Sequence, residues 1–280
     1  MLGAVLAPDP DLMERAREAA RDAVGGEAAI SVLTSTTGRV TVRAGGPARP
    51  AVSVKVYLDP EKLVNEVRHC RIARDLGLPV PEEVSFDVGP PAVLVTGWSP
   101  GEPIDRHPEA AHELGRLLAR YYVSEARPPG AADGWAKQVR VRANSELTRL
   151  GEMALLGGSQ KQRVEQKVEE IVAAVRDRPQ VLIHGDLQPE HVLVDPLGRR
   201  IVAILDWADS GFADPLFEVA RLSLVNRELA EPFLTGAGLA NDPMLIGGYR
   251  VLWSVLSATW LAERGLTDEA GDVIGALQAL

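Results

Sequence analysis

Two carboxylates and an imidazole lie close together in one stretch, VLIHGDLQPEHVLVDPLGRRIVAILDW, between Val181 and Trp207. Asp186, His191 and Asp206 are the side chains within it best suited to bind a divalent cation or move a proton. A carboxylate with a second donor can hold a metal ion, while the other carboxylate stays free to accept a proton from a hydroxyl nucleophile. The intervening sequence gives these groups a reason to meet. HVLVD and RIVAILD are apolar, β-branched runs joined by a turn containing Pro196 and Gly198, which predicts an antiparallel hairpin. In such a pair the start of the first strand lies beside the end of the second. His191 and Asp206 are therefore expected at one end, within a residue or two of register, and Asp186, five residues before His191, in the loop at that end. His184 reads as a structural residue that packs beneath the loop and bonds its backbone. Asp214 and Glu218 in ADPLFEVA read as ties between loop and helix.

Other elements must support this loop. Asp11 to Val24 has apolar residues at helical spacing and stops at Gly25-Gly26, a helix followed by a breaker pair. From Ala29 to Tyr57, three β-branched runs separated by glycine and proline predict three antiparallel strands. Pro60 to Leu78 returns to helical spacing, and EEVSFDV and AVLVTGW then read as two more strands around Gly89-Pro90-Pro91. After Gly101 the composition turns to Ala, Leu, Arg and Glu, with helices expected over Glu109–Ala126, Gly134–Leu155 and Gln160–Arg178. The segments RPPGAADG and LLGGS read as their connections. Tyr249, Trp253 and Trp260 share roughly one helical face and predict a core stripe, and KQRVEQKVEE predicts a solvated helix surface.

HGDLQPEH followed by LDW resembles the catalytic and metal-binding segments of the aminoglycoside phosphotransferase family, small-molecule kinases with a protein-kinase-like fold. The likeness extends to the first lobe in order. Lys55 in VSVKVY resembles the phosphate-binding strand lysine, Glu66 its helix partner, and LVTGWSPGEP the hinge between lobes. The resemblance implies a bilobal α+β fold, with an antiparallel-sheet, nucleotide-binding lobe over residues 1–97 and a mostly helical lobe over 98–280. It implies that Asp186 orients the acceptor hydroxyl and acts as base. Asp206, with His191, would bind the metal ions that bridge the nucleotide phosphates. Lys55 would pair with the α- and β-phosphates and Glu66 would fix Lys55. Backbone groups near Thr96 and Trp98 would meet the base of ATP or GTP.

The sequence departs from that family pattern in several places. His191 stands where most kinases have Asn, as in macrolide phosphotransferases. Mg²⁺ prefers hard oxygen donors and imidazole suits softer ions, so Mn²⁺ is expected to support turnover at least as well as Mg²⁺ at limiting metal. The phosphate-covering loop, LTSTTGRV, lacks G-x-G-x-x-G and offers the hydroxyls of Ser35 and Thr36 with backbone amides instead. Gln188 occupies the position of a protein-kinase catalytic-loop lysine, where contact with substrate or γ-phosphate competes with a solvated role. Trp207 follows Asp206 in place of Phe-Gly, and only the short ADSGFADPLFEVARL comes next, which disfavours a protein kinase.

Composition bounds the rest. With 30 Lys and Arg against 39 Asp and Glu the formal charge is −9, and no basic stripe serves a polyanion, which argues against nucleic acid as a partner. Cys70 is the one cysteine, so an internal disulfide is excluded and a reducing, cytoplasmic setting is expected. The N-terminal apolar run lacks a preceding positive charge and does not read as a secretory signal, and no apolar stretch is long enough to span a bilayer. The expected activity is transfer of a γ-phosphate to a hydroxyl of a small molecule, with an antibiotic as acceptor and resistance or self-protection as the outcome. Aminoglycoside, macrolide, nucleoside and peptide antibiotics stay open. The alternatives are a choline- or sugar-kinase-like metabolite kinase and a non-catalytic nucleotide-binding protein.

Overall fold

A computed structural model describes residues 7–26, 28–46, 49–127 and 133–276. The start of the N-terminal apolar run and most of the RPPGAADG connection lie outside them. In chain order come α1 (Pro10–Val24), β1 (Ala29–Thr36), β2 (Arg39–Gly45), β3 (Val52–Tyr57), α2 (Pro60–Asp75), β4 (Glu83–Asp87), β5 (Ala92–Gly97) and β6 (Glu102–Pro103). They are followed by α3 (Ala111–Tyr122), β7 (Ala126–Arg127), α4 (Asp133–Glu152), α5 (Gly158–Val175), β8 (Gln180–Ile183), β9 (Val192–Val194), β10 (Ile201–Ile204) and β11 (Gly211–Ala213). The chain ends in α6 (Leu216–Leu222), α7 (Ala230–Ala237), α8 (Pro243–Ala262) and α9 (Thr267–Ala276). Two compact units result, one formed by the chain up to His107 with Pro189–Ser210, the other by Pro108–Gln188 with Gly211 onward.

The first unit is built on a five-stranded antiparallel sheet of order β1-β2-β3-β5-β4. Strand periodicity of two sorts its side chains onto two faces. Val40, Val42, Val52, Val54, Val56, Val93 and Val95 pack against Leu12, Ala16 and Ala20 of α1. That helix starts at Asp9, whose Oδ1 accepts the N–H of Asp11 and Leu12 at 2.9 and 3.3 Å, and stops at Gly25, where φ is +74°. On the opposite face Tyr57, Ala92 and Leu94 pack with Leu63 and Val67 of α2. Burying each such Val or Leu is worth about 1.5–3 kcal/mol, so the two helices hold the sheet from both sides. The pairs Arg39↔Tyr57, Thr41↔Lys55 and Lys55↔Leu94 put Lys55 on the α2 face. A second, three-stranded sheet of order β10-β9-β6 completes this unit.

In the second unit, β8 is flanked by β7 and β11, and the other regular elements among the described residues are helices. The helix expected over Glu109–Ala126 is shorter than its periodicity suggests. Pro108–Ala110 forms a 3-10 turn, and Ala126–Arg127 leaves the helix to pair with Val181 and Gln180. The aromatic stripe is also shorter. Tyr249 and Trp253 are buried and packed with Phe217, but Trp260 is 42% exposed, with the Arg264 guanidinium 3.7 Å from its ring centre. The helix containing KQRVEQKVEE buries Val164, Val168 and Ile171 and leaves most of its charges exposed. Among the described residues no helix is long and apolar enough to cross a membrane.

Helices α3 and α7 pack backbone to backbone through two glycines. A Cβ at Gly236 would lie 2.0 Å from the His112 carbonyl oxygen, and one at Gly115 would lie 2.2 Å from that of Phe233. Backbone cannot rotate away as a side chain can. Gly236→Ala should therefore cost about 3 kcal/mol, the upper end of ordinary overpacking. Gly247→Ala in α8, where nothing lies within 4 Å, should instead be neutral or gain up to about 1 kcal/mol from helix propensity. Thermal melts of the two variants check the opposite signs.

Candidate active site

In the first unit a charged cluster gathers on the α2 face of the large sheet. Lys55 Nζ on β3 lies 2.5 Å from Glu66 Oε1 on α2 and 3.2 Å from Asp206 Oδ1. The Tyr57 hydroxyl donates to the other Glu66 oxygen, so the glutamate is held from two sides. The hairpin β9–β10 sets the acidic end. Ile204 pairs with Val192, and the Leu205 N–H continues the ladder to the His191 carbonyl at 2.8 Å. This brings His191 Nε2 to 3.5 Å from Asp206 Oδ2. Asp206 itself has φ +64° and ψ +63°, a left-handed conformation that Asp and Asn tolerate better than other side chains. Asn65 of α2 secures the turn that follows, donating to the carbonyls of Ala208 and Ser210 at 3.0 Å each.

The electrostatics follow from burial and pairing. Burial alone would push the Asp206 carboxyl up, but Lys55, Arg39 and His191 overcome it and hold it well below the usual carboxylate range. Burial likewise opposes the Lys55 ammonium, and Asp206 and Glu66 outweigh it and raise its pKa. Cys70, one turn beyond Glu66, has its thiol pushed up by burial and by the Glu66 charge, which leaves it a poor nucleophile.

His191 and Asp206 form a two-donor set, and among the described residues no group of three His, Cys, Asp or Glu side chains could hold a metal ion. That fits Mg²⁺ or Mn²⁺ carried on a phosphate substrate, because Mg²⁺ is commonly held by one or two carboxylates with phosphate and water completing its shell.

The other expected residues of this unit lie at the end of β1 and along and just after β5. Ser35 is 4% exposed, and its Oγ has no hydrogen-bond partner among the described residues. Thr36 closes the β1–β2 turn, donating to the Arg39 carbonyl and accepting the Gly38 N–H, both at 3.3 Å. Thr96 lies within β5. The N–H groups of Gly97 and Trp98 are committed to the carbonyls of Glu82 and Ala51, at 2.8 and 3.0 Å. The Trp98 ring is capped by the Arg43 guanidinium at 5.1 Å.

In the second unit Asp186 sits in the loop after β8. Arg221 Nε of α6 donates to its Oδ1 at 2.9 Å, and Gln188 Nε2 donates to its Oδ2 at 3.0 Å. Arg221 Nη2 also donates to Gln188 Oε1 at 2.8 Å, closing a three-residue ring of hydrogen bonds around the carboxylate. The guanidinium rests on Trp253, 4.6 Å from the ring centre. His184 is fully buried, and its Nδ1 accepts the Asp186 N–H at 3.3 Å. Asp214 accepts the Leu216 N–H at 2.8 Å and pairs with Arg178. Sequence reasoning passed over both Arg39 and Arg221. Register could have found the first, since Arg39, Thr41, Lys55 and Tyr57 share a face once β2 and β3 are paired. For Arg221, the i, i+4 spacing from Phe217 on α6 was the available signal.

Glu218 accepts the Gly185 N–H at 3.0 Å and the Tyr122 hydroxyl at 2.6 Å while fully buried. Burial raises its carboxyl to about 7 against the lowering effect of these bonds. The folded protein therefore keeps this proton to near-neutral pH, while the unfolded chain releases it near the ordinary glutamate value of 4.5. The corresponding stability is fully present below the unfolded value and is lost as pH rises through the folded one. Its span is on the order of 3 kcal/mol. The stability of the wild-type protein relative to Glu218→Gln should fall by that order between pH 4.5 and 8; parallel denaturant titrations across the range measure it, and a flat difference would contradict the assignment.

Comparison with known proteins adds family and fold. A family model described as a phosphotransferase enzyme family matches residues 30–252. A thermostable mutant of aminoglycoside phosphotransferase APH(4)-Ia, in ternary complex with AMP-PNP and hygromycin B, superposes with a TM-score of 0.68 at 16% identity, over 94% of this chain and 96% of that one. The macrolide 2'-phosphotransferase MphH of Brachybacterium faecium gives 0.60 at 20% identity, over 95% and 98%. A choline/ethanolamine kinase family protein of Mesorhizobium loti gives 0.68 at 18%, over 96% and 95%. At these identities the likeness is one of fold, the kinase-like α+β architecture. Curated relatives match only short stretches. Acyl-CoA dehydrogenase family member 11 of Rattus norvegicus is 40% identical over 48 residues, 17% of this chain and 6% of that protein. The uncharacterized protein YcbJ of Bacillus subtilis is 53% identical over 34 residues, 12% and 11% of the two chains.

Proposed function

The chain belongs to the phosphotransferase enzyme family, and from that premise we propose that it transfers the γ-phosphate of ATP or GTP to a hydroxyl of a small molecule, with an antibiotic as the acceptor. The observation that carries the reading is the bridge from Glu66 through Lys55 to Asp206, at 2.5 and 3.2 Å. It presents a fixed ammonium beside a carboxylate and an imidazole, the set a metal–nucleotide complex requires. Lys55 would neutralise the α- and β-phosphates, with Glu66 keeping its ammonium in position. Asp206 and His191 would hold the metal ion, which when bound neutralises charge on the phosphates. Asp186, oriented by Arg221 and Gln188, would take the acceptor's hydroxyl proton as its oxygen bonds to the γ-phosphorus and the bond to the β-phosphate oxygen breaks. Positioning and charge neutralisation supply most of the rate in such reactions.

The likeness to structures of aminoglycoside and macrolide phosphotransferases supports an antibiotic acceptor. The complex of one of them with AMP-PNP supports a nucleoside triphosphate donor. A second reading, a metabolite kinase, draws on the equally good fit to a choline/ethanolamine kinase family protein. The test is incubation with ATP or GTP, in Mg²⁺ or Mn²⁺, across aminoglycoside, macrolide, nucleoside and peptide antibiotics, choline and simple sugars. Mass spectrometry would read the gain of one phosphoryl group, about 80 Da. A gain on an antibiotic that Asp186→Ala abolishes is expected. A gain on choline or a sugar alone would replace the first reading with the second, and nucleotide binding without any gain would favour a non-catalytic role.

A further inference from the structure

Arg39 Nη1 lies 2.8 Å from Asp206 Oδ1 and 3.0 Å from Oδ2. It thus engages both oxygens of the carboxylate to which the proposed function assigns the metal. Lys55 approaches Oδ1 as well, at 3.2 Å, and His191 faces Oδ2 at 3.5 Å. The carboxylate is surrounded. A dication held by one of those oxygens would compete with the Arg39 guanidinium for the same lone pairs and repel it. Arg39 is the partner able to yield. Its side chain is 25% exposed, against 14% for Lys55, and Lys55 is anchored by Glu66 besides. Arg39 also directly follows the Thr36–Gly38 turn, the hydroxyl-rich segment expected to cover phosphate. A guanidinium fork matches phosphate oxygens as well as it matches a carboxylate.

We propose that Arg39 is a resident counter-cation of the metal ligand: it holds Asp206 until the metal–nucleotide complex arrives, then gives up the carboxylate and engages a nucleotide phosphate. The inference rests on the assignment of Asp206 as a metal ligand. It makes Arg39 a competitor of free metal and a helper of metal–nucleotide, so one substitution should move the two affinities in opposite directions.

Mn²⁺ binding, followed by electron paramagnetic resonance on the full chain with and without AMP-PNP, tests this. Arg39→Gln should bind Mn²⁺ alone about fivefold or more tightly than wild type, and should bind Mn²⁺–AMP-PNP about fivefold or more weakly, the usual range of coupling between sites. Arg39→Lys, which retains a cation, should lie between them. Asp206→Asn should abolish the tight Mn²⁺ signal. Unchanged or weaker Mn²⁺ binding by Arg39→Gln, with binding still dependent on Asp206, would overturn the competition and leave the proposed function standing. Tighter Mn²⁺ binding with an unchanged AMP-PNP affinity would overturn the transfer to phosphate. Absence of any Asp206-dependent Mn²⁺ binding, even with AMP-PNP, would remove the metal assignment and the inference with it.

Discussion

Replacing Asp186 with alanine should lower turnover by about 10²-fold or more, the scale of a lost general base, while nucleotide affinity stays within a few-fold of wild type. The split follows from the surroundings of the residue. The contacts that orient Asp186 come from Arg221 and Gln188, whereas the ammonium and metal donors of the proposed nucleotide site come from Lys55, Asp206 and His191. Asparagine is a less clean replacement than alanine. Both donors reach carboxylate oxygens, so an Asn amide would turn its NH₂ toward either the Arg221 Nε–H or the Gln188 NH₂. A flip of Gln188 to accept that NH₂ would sacrifice its bond from Arg221 at 2.8 Å. Asp186→Asn should therefore be at least as impaired as Asp186→Ala. Single-turnover kinetics with nucleotide titrations in parallel separate the two effects, and an unimpaired turnover in both variants would remove Asp186 from the chemistry.

Asp206→Asn should show the reverse pattern, with metal–nucleotide affinity falling by about 10- to 100-fold or more, since loss of even an outer-shell partner costs that much at metal sites. Metal-free nucleotide should be far less affected. The backbone decides the choice of variant. At φ +64° asparagine is tolerated, whereas alanine would add about 1–2 kcal/mol of left-handed strain and blur the reading. Removing the anion also leaves Arg39 and Lys55 without the mostly buried carboxylate they share. Breaking a buried ion pair on one side costs about 3–5 kcal/mol, so the variant should melt several degrees lower. Calorimetric titration with nucleotide, with and without Mg²⁺, measures the affinity. Equal losses under both conditions would separate Asp206 from the metal.

Much of the fold is legible where local pattern and tertiary packing agree. The valines of β2 and β3 alternate, and the structure buries those same residues against α1. The hairpin that sets His191 beside Asp206 needs only a turn and two apolar runs. What escapes is long-range or very short. Arg39 lies 167 residues from Asp206 and Arg221 lies 35 from Asp186, and no local period links such pairs. Strands β6 and β7 are two residues each, too brief to show alternation, and they exist because a neighbouring strand offers its backbone. Trp260 shares the face of Tyr249 and Trp253, but it lies seven residues beyond Trp253, nearly two turns further along the axis, close to the end of α8, where an arginine stacks on its ring. The hydroxyls of Ser35 and Thr36 were read by type alone, and type does not reveal that one is buried and the other closes a turn.

The division of the chain between its two units has a consequence for how such a protein can be recombined. The backbone passes from one unit to the other after His107, after Gln188 and after Ser210. A gene truncated after His107 would keep Lys55 and Glu66 yet lose Asp206, and β6 would lose its partner β9. The remainder would carry β9 and β10 without it. Exchange of the first unit between relatives therefore requires two separate inserts, and selection on donor nucleotide cannot act on one uninterrupted block of DNA.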